Sequence, residues 1–151
     1  MNAIQLLKSD HETAKQMFGK IQTARAEQRG ELWAKLKPEL KVHEQMEEEA
    51  LYGPVAREVE SRDQTLKDWH EHHQEEVTEL ESLIEDIGEF DPTSDQWMER
   101  IEELQETLEH HIQEEEGDIW PRIQKAWDQS KLEKAGQQIE SLKREKQSRA
   151  A

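Results

Sequence analysis

Apolar side chains recur at intervals of three and four residues along four long stretches of this chain, which is the spacing of one face of an α-helix. The stretches run from about residue 2 to 25, 31 to 59, 63 to 87 and 94 to 120, and a shorter stripe follows Ser130. Short connections separate them, two of which contain glycine or proline, so consecutive helices are expected to pack antiparallel. The sequence therefore predicts an all-α, up-down-up-down four-helix bundle over residues 1–127 and a short extra C-terminal helix over residues 128–151.

Local signals refine the ends of these predicted helices. Asn2, with Gln5 three residues later, is expected to cap the first helix, and Thr93, with Gln96 three residues later, is expected to cap the fourth. Pro38 either kinks the second helix or marks its first turn.

Composition limits what the folded chain can bind. Only 32% of its 151 residues are hydrophobic and 37% are charged, a balance typical of disordered chains, but the helical periodicity indicates a folded core. The formal net charge of −16 repels phosphate backbones, so nucleic acid is not an expected partner. The locally basic segment from Lys131 to Arg149 is interpreted as an exposed helix face.

Two absences narrow the classes of protein further. The chain has no cysteine, which excludes disulfides, thiolate metal sites, iron–sulfur clusters and cysteine nucleophiles. No apolar run approaches the length of a membrane span, so we expect no membrane association and a cytoplasmic protein.

All seven histidines fall on the four long predicted helices, and five of them continue the apolar stripes. Those five are His11, His43, His70, His73 and His111. Two glutamates, Glu47 and Glu115, also lie on a stripe. A buried carboxylate without a partner is energetically costly, so glutamate on a core face indicates a compensating group such as a metal ion.

Two pairs of these residues are spaced for binding one centre. His43 with Glu47, and His111 with Glu115, are four residues apart, so both side chains of a pair lie on one helix face about 6 Å apart along the axis. Imidazole and carboxylate together suit iron, manganese or zinc. The whole set offers more ligands than a tetrahedral zinc ion needs and fits two six-coordinate ions that the glutamates bridge.

The ligand from the third helix is left open by the sequence. His70 and His73 are three residues apart and share a face, so one or both are candidates. His73 is slightly favoured, because it lies closer to the level of the apolar residues Val77 and Leu80.

Other polar residues of these helices lie off the stripes. His72 and His110 are expected to be exposed or to lie behind the ligands. Four glutamates are expected on solvated faces: Glu48, Glu49, Glu114 and Glu116. A weak internal repeat aligns residues 43–52 with residues 111–120, which predicts that the second and fourth helices are similar strips running in the same direction.

In these segments the chain resembles the hemerythrin-like proteins of the bacterial HHE type. The resemblance rests on SDHETAKQMF, HEQMEEEALYGP, HEHHQEEVTEL and HHIQEEEGDIWP, and covers residues 4 to about 125. It implies a four-helix bundle around a non-heme di-iron centre, with two iron ions as the cofactor. The ligands that it implies are His11, His43, Glu47, His111 and Glu115, together with His73, His70 or both.

Two positions depart from the pattern of the invertebrate oxygen carriers of this family. Those carriers have two histidines four residues apart on the third helix, whereas here Trp69 precedes His73 by four residues. They also have an aspartate five residues after the last histidine, whereas here Glu115 follows His111 by four residues. The departures argue against pure oxygen storage.

The leading hypothesis is a di-iron protein that binds or senses oxygen or a related small ligand, such as nitric oxide or peroxide. Four apolar side chains are expected to shield the open iron position from water: Phe18, Leu51, Leu80 and Leu108. One alternative is a di-iron enzyme that decomposes peroxide or reduces nitric oxide. The other is a metal-free helical interaction module whose five tryptophans are surface anchors. No feature of the sequence identifies a protein partner.

Overall fold

The computed structural model describes residues 1–59 and 62–150, and these two ranges are helical with no strand. The α-helices are α1 (Ala3–Thr23), α2 (Arg29–Glu47), α3 (Gly53–Val59), α4 (Gln64–Ile87), α5 (Asp95–Glu114), α6 (Trp120–Ala126) and α7 (Gln129–Ala150). A 3₁₀ turn at Ala26–Gln28 precedes α2. The all-α prediction is confirmed.

Two π-helical segments lie inside the second and fourth predicted helices. The first π segment, Glu48–Tyr52, joins α2 to α3, and the second, Glu115–Ile119, joins α5 to α6. Each begins at or directly after the glutamate of a predicted His–Glu pair. The two halves of the internal repeat therefore share a backbone feature as well as a sequence pattern. Single-turn π segments commonly mark functional sites.

The helix ends follow the sequence signals in part. The Asn2 side chain accepts from the Gln5 amide, and the Gln5 side chain accepts from the Asn2 amide, so the predicted capping box is confirmed. The cap of α5 is Ser94, whose hydroxyl accepts from the Trp97 amide, because Thr93 instead donates to a preceding aspartate. Helix α2 continues through Pro38, so the idea that this proline marks its first turn was wrong.

The C-terminal helix is longer than expected. Helix α7 has 22 residues and packs against α1 and α2, so the prediction of a short extra helix was wrong. Its predicted apolar stripe is nevertheless correct, since Leu132, Ala135 and Ile139 are buried in the core. A Cβ atom at Gly136 would lie 2.6 Å from the carbonyl oxygen of Met1, so glycine allows α7 to approach the start of α1 closely.

The apolar core has two regions. Core region A contains the start of α1 together with residues of α3, α6 and α7, and core region B contains the end of α1, the start of α2 and most of α5. On the four helices that carry the candidate ligands, a polar band separates residues of region A from residues of region B. The structure thus places histidine and glutamate in a layer that apolar side chains close above and below.

Two further expectations concern the surface. All five tryptophans are buried, so the expectation that they are surface anchors was wrong: Trp33, Trp69, Trp97, Trp120 and Trp127. Within the two described ranges, no helix combines the length and the apolar character needed to cross a membrane.

Candidate metal centre

Four side chains from α1, α2 and the second π segment meet in a buried group that we call cluster 1. Its potential ligand atoms lie within 4.8 Å of one another, and its members are His11, His43, Glu47 and Glu115. Nε2 of His11 is 3.4 Å from Oε1 of Glu115, and Nε2 of His43 is 3.4 Å from Oε2 of Glu47. Both glutamates have no exposed surface. The two predicted His–Glu strips therefore meet at one point of the interior.

A second buried group, cluster 2, lies beside the first and contains Glu44, Glu47, His73 and His111. Nε2 of His73 is 3.1 Å from Oε2 of Glu44 and 3.5 Å from Oε1 of Glu47. Glu44 was not among the residues singled out in the sequence, because it lies at the edge of the apolar stripe. Its presence gives the second cluster a carboxylate of its own.

Two glutamates connect the clusters. Glu47 belongs to both groups, since one of its oxygens faces His43 and the other faces His73. Glu115 also reaches across, with Oε1 3.1 Å from Nε2 of His111 in cluster 2 and 3.4 Å from Nε2 of His11 in cluster 1. The arrangement has the form expected of two adjacent cations that share bridging carboxylates.

Several buried polar atoms of the clusters lack a hydrogen-bond partner among the described residues. They are Nε2 of His43, Nε2 of His111, both carboxylate oxygens of Glu47 and Oε1 of Glu115. Buried polar groups are normally hydrogen-bonded, because burial without a partner is costly. Cations bound in the two clusters would satisfy these five atoms, so the donor set fits a metal centre.

Each of three histidines turns its other ring nitrogen toward a second carboxylate. Nδ1 of His11 is 3.1 Å from Oε2 of Glu116, and Nδ1 of His43 is 3.4 Å from Oδ2 of Asp10. Nδ1 of His111 contacts Oε2 of Glu76 in the same way. A carboxylate on Nδ1 holds the tautomer in which Nε2 is free to bind a metal, which is the usual support of metal-binding histidines. Glu116 is therefore not simply a solvated residue, as its sequence position suggested.

The charges of the clusters shift the pKa of their members in the metal-free protein. Burial alone would lower the pKa of His43, but the charge of Glu47 and the hydrogen bond to Asp10 raise it well above its usual value. Burial alone would lower the pKa of His73, but the hydrogen bond to Glu44 and the charge of Glu47 raise it to about 10. The pKa of Glu47 is held well below its usual value despite burial, because His43 lies beside it. Without a metal, protons on the histidines balance the carboxylate charge.

Comparisons with known proteins identify this arrangement. The sequence matches the family described as the hemerythrin HHE cation binding domain over residues 2–123, a range that includes both clusters. The chain belongs to this family. The family match and the two His–Glu clusters together indicate a metal-binding protein.

A solved structure supports the same fold. The crystal structure of a hemerythrin HHE cation binding domain-containing protein from Mycobacterium kansasii matches this chain with a TM-score of 0.80 and 21% sequence identity. The match covers 98% of this chain and 89% of that chain, so it includes α7. A comparison with curated proteins found no match. At this level of identity, the structural similarity establishes the fold alone.

Aromatic side chains that the sequence did not assign to the site enclose the two clusters of this HHE domain. The Tyr52 hydroxyl donates to Oε2 of Glu115 and accepts from Nε1 of Trp120 at 2.8 Å. The Trp120 ring stacks on His11 at 4.9 Å, and the Trp69 ring stacks on His111 at 5.7 Å. Trp69 stands where the oxygen carriers have a histidine. At this position the chain therefore has an apolar ring that packs against the candidate ligand His111.

The π segments explain how two of these aromatic residues reach the site. Tyr52 and Trp120 each follow a cluster glutamate by five residues. In a π turn the backbone hydrogen bonds run from residue i to i+5, so the residue five positions on lies above the first. Each π segment brings an aromatic residue to the clusters, where the Tyr52 hydroxyl contacts Glu115 and the Trp120 ring stacks on His11. The matched positions Tyr52 and Trp120 of the internal repeat supply the signal in the sequence.

Three histidines of this HHE domain lie outside both clusters. His70, a predicted candidate, is turned toward the surface, where Nε2 is 2.9 Å from Oε1 of Glu48. The physical reason is that a step of three residues from His73 rotates His70 to the edge of the helix face, within reach of the first π segment. His72 and His110 also lie outside, as expected, and pair with Glu76 and Glu114.

Two cavities lead to the clusters from different sides. A cavity of about 130 Å³ reaches His11, His43 and His111, and its walls include Phe18 and Leu108. A larger cavity of about 580 Å³ reaches His73 and Glu44 between α2 and α4.

The larger cavity is lined by both polar and apolar side chains, and the apolar ones are Leu40, Val77, Leu80, Ile84, Leu104 and Leu108. Of the four predicted shielding residues, Phe18, Leu80 and Leu108 line these cavities, whereas Leu51 is buried in core region A. A small molecule that approaches the clusters through these cavities therefore meets apolar side chains.

Proposed function

We propose that this HHE protein holds two iron ions, one in each cluster, and uses them to bind or sense oxygen or a related small ligand such as nitric oxide or peroxide. The observation that carries the proposal is the shared carboxylate of Glu47, both of whose buried oxygens lack a hydrogen-bond partner among the described residues. A carboxylate in this position needs cationic partners on two sides, and two adjacent metal ions provide them.

The two clusters support the following proposed ligands. His11 and His43 would hold one ion, and His73 and His111 the other. Glu47 and Glu115 would bridge the ions, and Glu44 would complete the second site. His70 is left out of the proposed ligand set, because its ring pairs with Glu48. A set of this size, with nitrogen and oxygen donors, exceeds what tetrahedral zinc requires and suits iron.

The proposal also includes the arrangement of the helices. Along α1 and α4, residues of core region A precede those of region B. Along α2, and along α5 with the π segment and α6 that follow it, the order is reversed. We infer from this order that the four ligand-bearing stretches alternate in direction, up-down-up-down, with α7 as a fifth helix along α1 and α2. We retain residues 1–127 as the bundle and 128–151 as its extension.

The protein side chains would position the metal and keep water from it. Asp10, Glu76 and Glu116 hold three histidines with Nε2 toward the clusters. Apolar side chains such as Leu80 and Leu108 line the approach. Ferrous iron, when bound, supplies the electrons and the open coordination position with which oxygen, nitric oxide or peroxide can combine.

Metal analysis with absorption spectroscopy tests this proposal. We expect protein that is loaded anaerobically with ferrous iron to hold two ions per chain and to show, after exposure to air, an absorption band that shifts on addition of azide. A content well below two ions per chain after loading, with zinc bound equally well, would overturn the assignment to iron. A steady-state peroxide assay on the same protein separates binding from turnover, since turnover above that of free iron would indicate the enzymatic alternative.

A further inference from the structure

Two more His–Glu pairs lie on α4 and α5 outside the buried clusters. His72 and Glu76 are four residues apart on α4, and His110 and Glu114 are four residues apart on α5. Nε2 of His72 is 2.6 Å from Oε1 of Glu76 and 3.8 Å from Oε2 of Glu114. Nε2 of His110 is 2.6 Å from Oε1 of Glu114. One imidazole nitrogen therefore faces carboxylates from two neighbouring helices.

We propose that His72, Glu76 and Glu114 form a surface site for one divalent transition-metal ion, separate from the two buried clusters. One ligand atom of each residue lies within 4.8 Å of the other two. Metal bonds of about 2.0–2.2 Å place neighbouring ligand atoms roughly 3 to 3.5 Å apart. To reach this geometry, the 2.6 Å contact between His72 and Glu76 has to lengthen and the 3.8 Å contact between His72 and Glu114 has to shorten. Both changes are less than about 1 Å and need only small side-chain rotations.

The local charges favour a cation at this position. Among the described residues, the charged partners of Glu76 and Glu114 are histidines, and no lysine or arginine pairs with either carboxylate. The chain as a whole carries a formal net charge of −16. Two neighbouring carboxylates without a permanent positive partner attract a divalent ion, and binding relieves their mutual repulsion.

Exposure and ligand type define the ion that the site accepts. The His72 side chain is 50% exposed and Glu114 is 31% exposed, so an ion can enter directly from solvent and keep water on its open positions. Imidazole is a poor ligand for calcium and magnesium, which prefer oxygen. One nitrogen and two carboxylates suit zinc, ferrous iron and their neighbours in the first transition row.

The site shares a residue with the support of cluster 2. One oxygen of Glu76 faces His72, and the other accepts from Nδ1 of His111. The Glu76 carboxylate therefore connects His111 of cluster 2 to the proposed surface site. For this reason the test uses substitutions at His72 and Glu114, which do not contact the buried clusters.

Zinc binding to the iron-loaded protein tests the inference. The variants are His72→Ala and Glu114→Gln, and the matched control is His70→Ala, which removes another partly exposed histidine with a single glutamate partner. Each protein is equilibrated by dialysis against micromolar zinc, and zinc and iron are then measured in the same sample. We expect about one additional zinc per chain in the wild type and in the control, and an affinity weaker by at least about tenfold in both variants.

Two results would overturn the inference: no zinc beyond the buried sites in the wild type, or equal zinc binding by all four proteins. Thermal unfolding of each variant verifies that the fold is retained, and Glu114→Gln keeps the size of the side chain. The iron content separates this test from that of the proposed function. If the wild type holds no iron, the proposed function fails, whereas a zinc ion lost in both variants but kept in the control still supports the surface site.

Discussion

Glu47 is the residue on which both clusters depend, because one of its oxygens faces cluster 1 and the other faces cluster 2. Its side chain has no exposed surface, whereas the adjacent Glu48 is partly exposed and pairs with His70. Two neighbouring glutamates on one helix thus differ completely in surroundings. Substitution of Glu48 is therefore a matched control for substitution of Glu47.

We expect Glu47→Gln to reduce the iron content from two ions per chain to one or none, because an amide cannot bridge two cations as a carboxylate does. Glu48→Gln should retain the full content. Iron per chain after anaerobic loading is the measurement. Equal iron content in the two variants would show that Glu47 is not the bridging ligand.

The sequence identified the buried members of the clusters better than their partners. The stripe pattern placed seven candidates on core faces, and the structure buries six of them: His11, His43, Glu47, His73, His111 and Glu115. Glu44 and Glu116 were not recognised, and His70 lies outside, because all three sit at the edge of a helix face. At such positions the rotation of neighbouring helices decides which group a side chain meets, and periodicity within one helix does not contain that information.

At the scale of the elements, α7 has a direct connection to cluster 1. Nζ of Lys143 donates to Oδ1 of Asp10 at 2.8 Å, and Oδ2 of Asp10 faces Nδ1 of His43. The C-terminal helix therefore holds the carboxylate that holds a candidate ligand. Lys146, one turn later, instead lies 3.9 Å from Glu49, for which no hydrogen bond or ion pair with either cluster is seen among the described residues.

We expect Lys143→Met to weaken iron binding by about tenfold, the usual effect of losing a group that orients a metal ligand. Lys146→Met should leave the affinity unchanged, although it removes the same charge from the same helix. Competition with a chelator measures the affinity, and thermal unfolding of the metal-free proteins shows whether α7 stays docked. If both variants lose affinity equally, the effect is one of overall charge and the connection through Asp10 has no role.

The π segments show why the elements were predicted only in part. The spacing of apolar residues by three and four positions predicted that the helices exist, and it also predicted the apolar stripe of α7. One additional residue in a turn, however, changes which side chains face inward after it, and a regular period does not reveal the insertion. Tyr52 therefore entered the site unexpectedly, although its alignment with Trp120 in the internal repeat was visible.

At the scale of the whole molecule, a band of opposite charges divides the core of the metal-free protein. Carboxylates raise the pKa of His73 to about 10 and the pKa values of His43 and His111 well above their usual range, in each case against the effect of burial. The pKa of Glu47 is held well below its usual range. Folding and protonation are therefore linked.

The direction of the linkage follows from these shifts. The raised histidines stabilise the fold fully below their unfolded pKa of about 6.5 and lose this contribution as the pH rises toward their folded pKa. The lowered pKa of Glu47 contributes stability above an unfolded value of about 4.3, and this is lost as the pH falls toward its folded pKa. The metal-free protein should therefore be most stable between about pH 4.5 and pH 6.5.

The affinity for metal rises with pH above about pH 6.5, whereas the stability of the metal-free protein falls. The reason is that a histidine must lose its proton before it can bind a metal. We therefore expect removal of iron to lower the melting temperature more at about pH 8 than at about pH 6, since the metal-free form weakens while the bound form gains affinity. Thermal unfolding of loaded and chelated protein at a series of pH values measures the difference. His70→Ala should show the same trend, because His70 lies outside both clusters. A difference that stays constant or narrows as the pH rises would contradict the assignment of His43, His73 and His111 as ligands that exchange protons for metal.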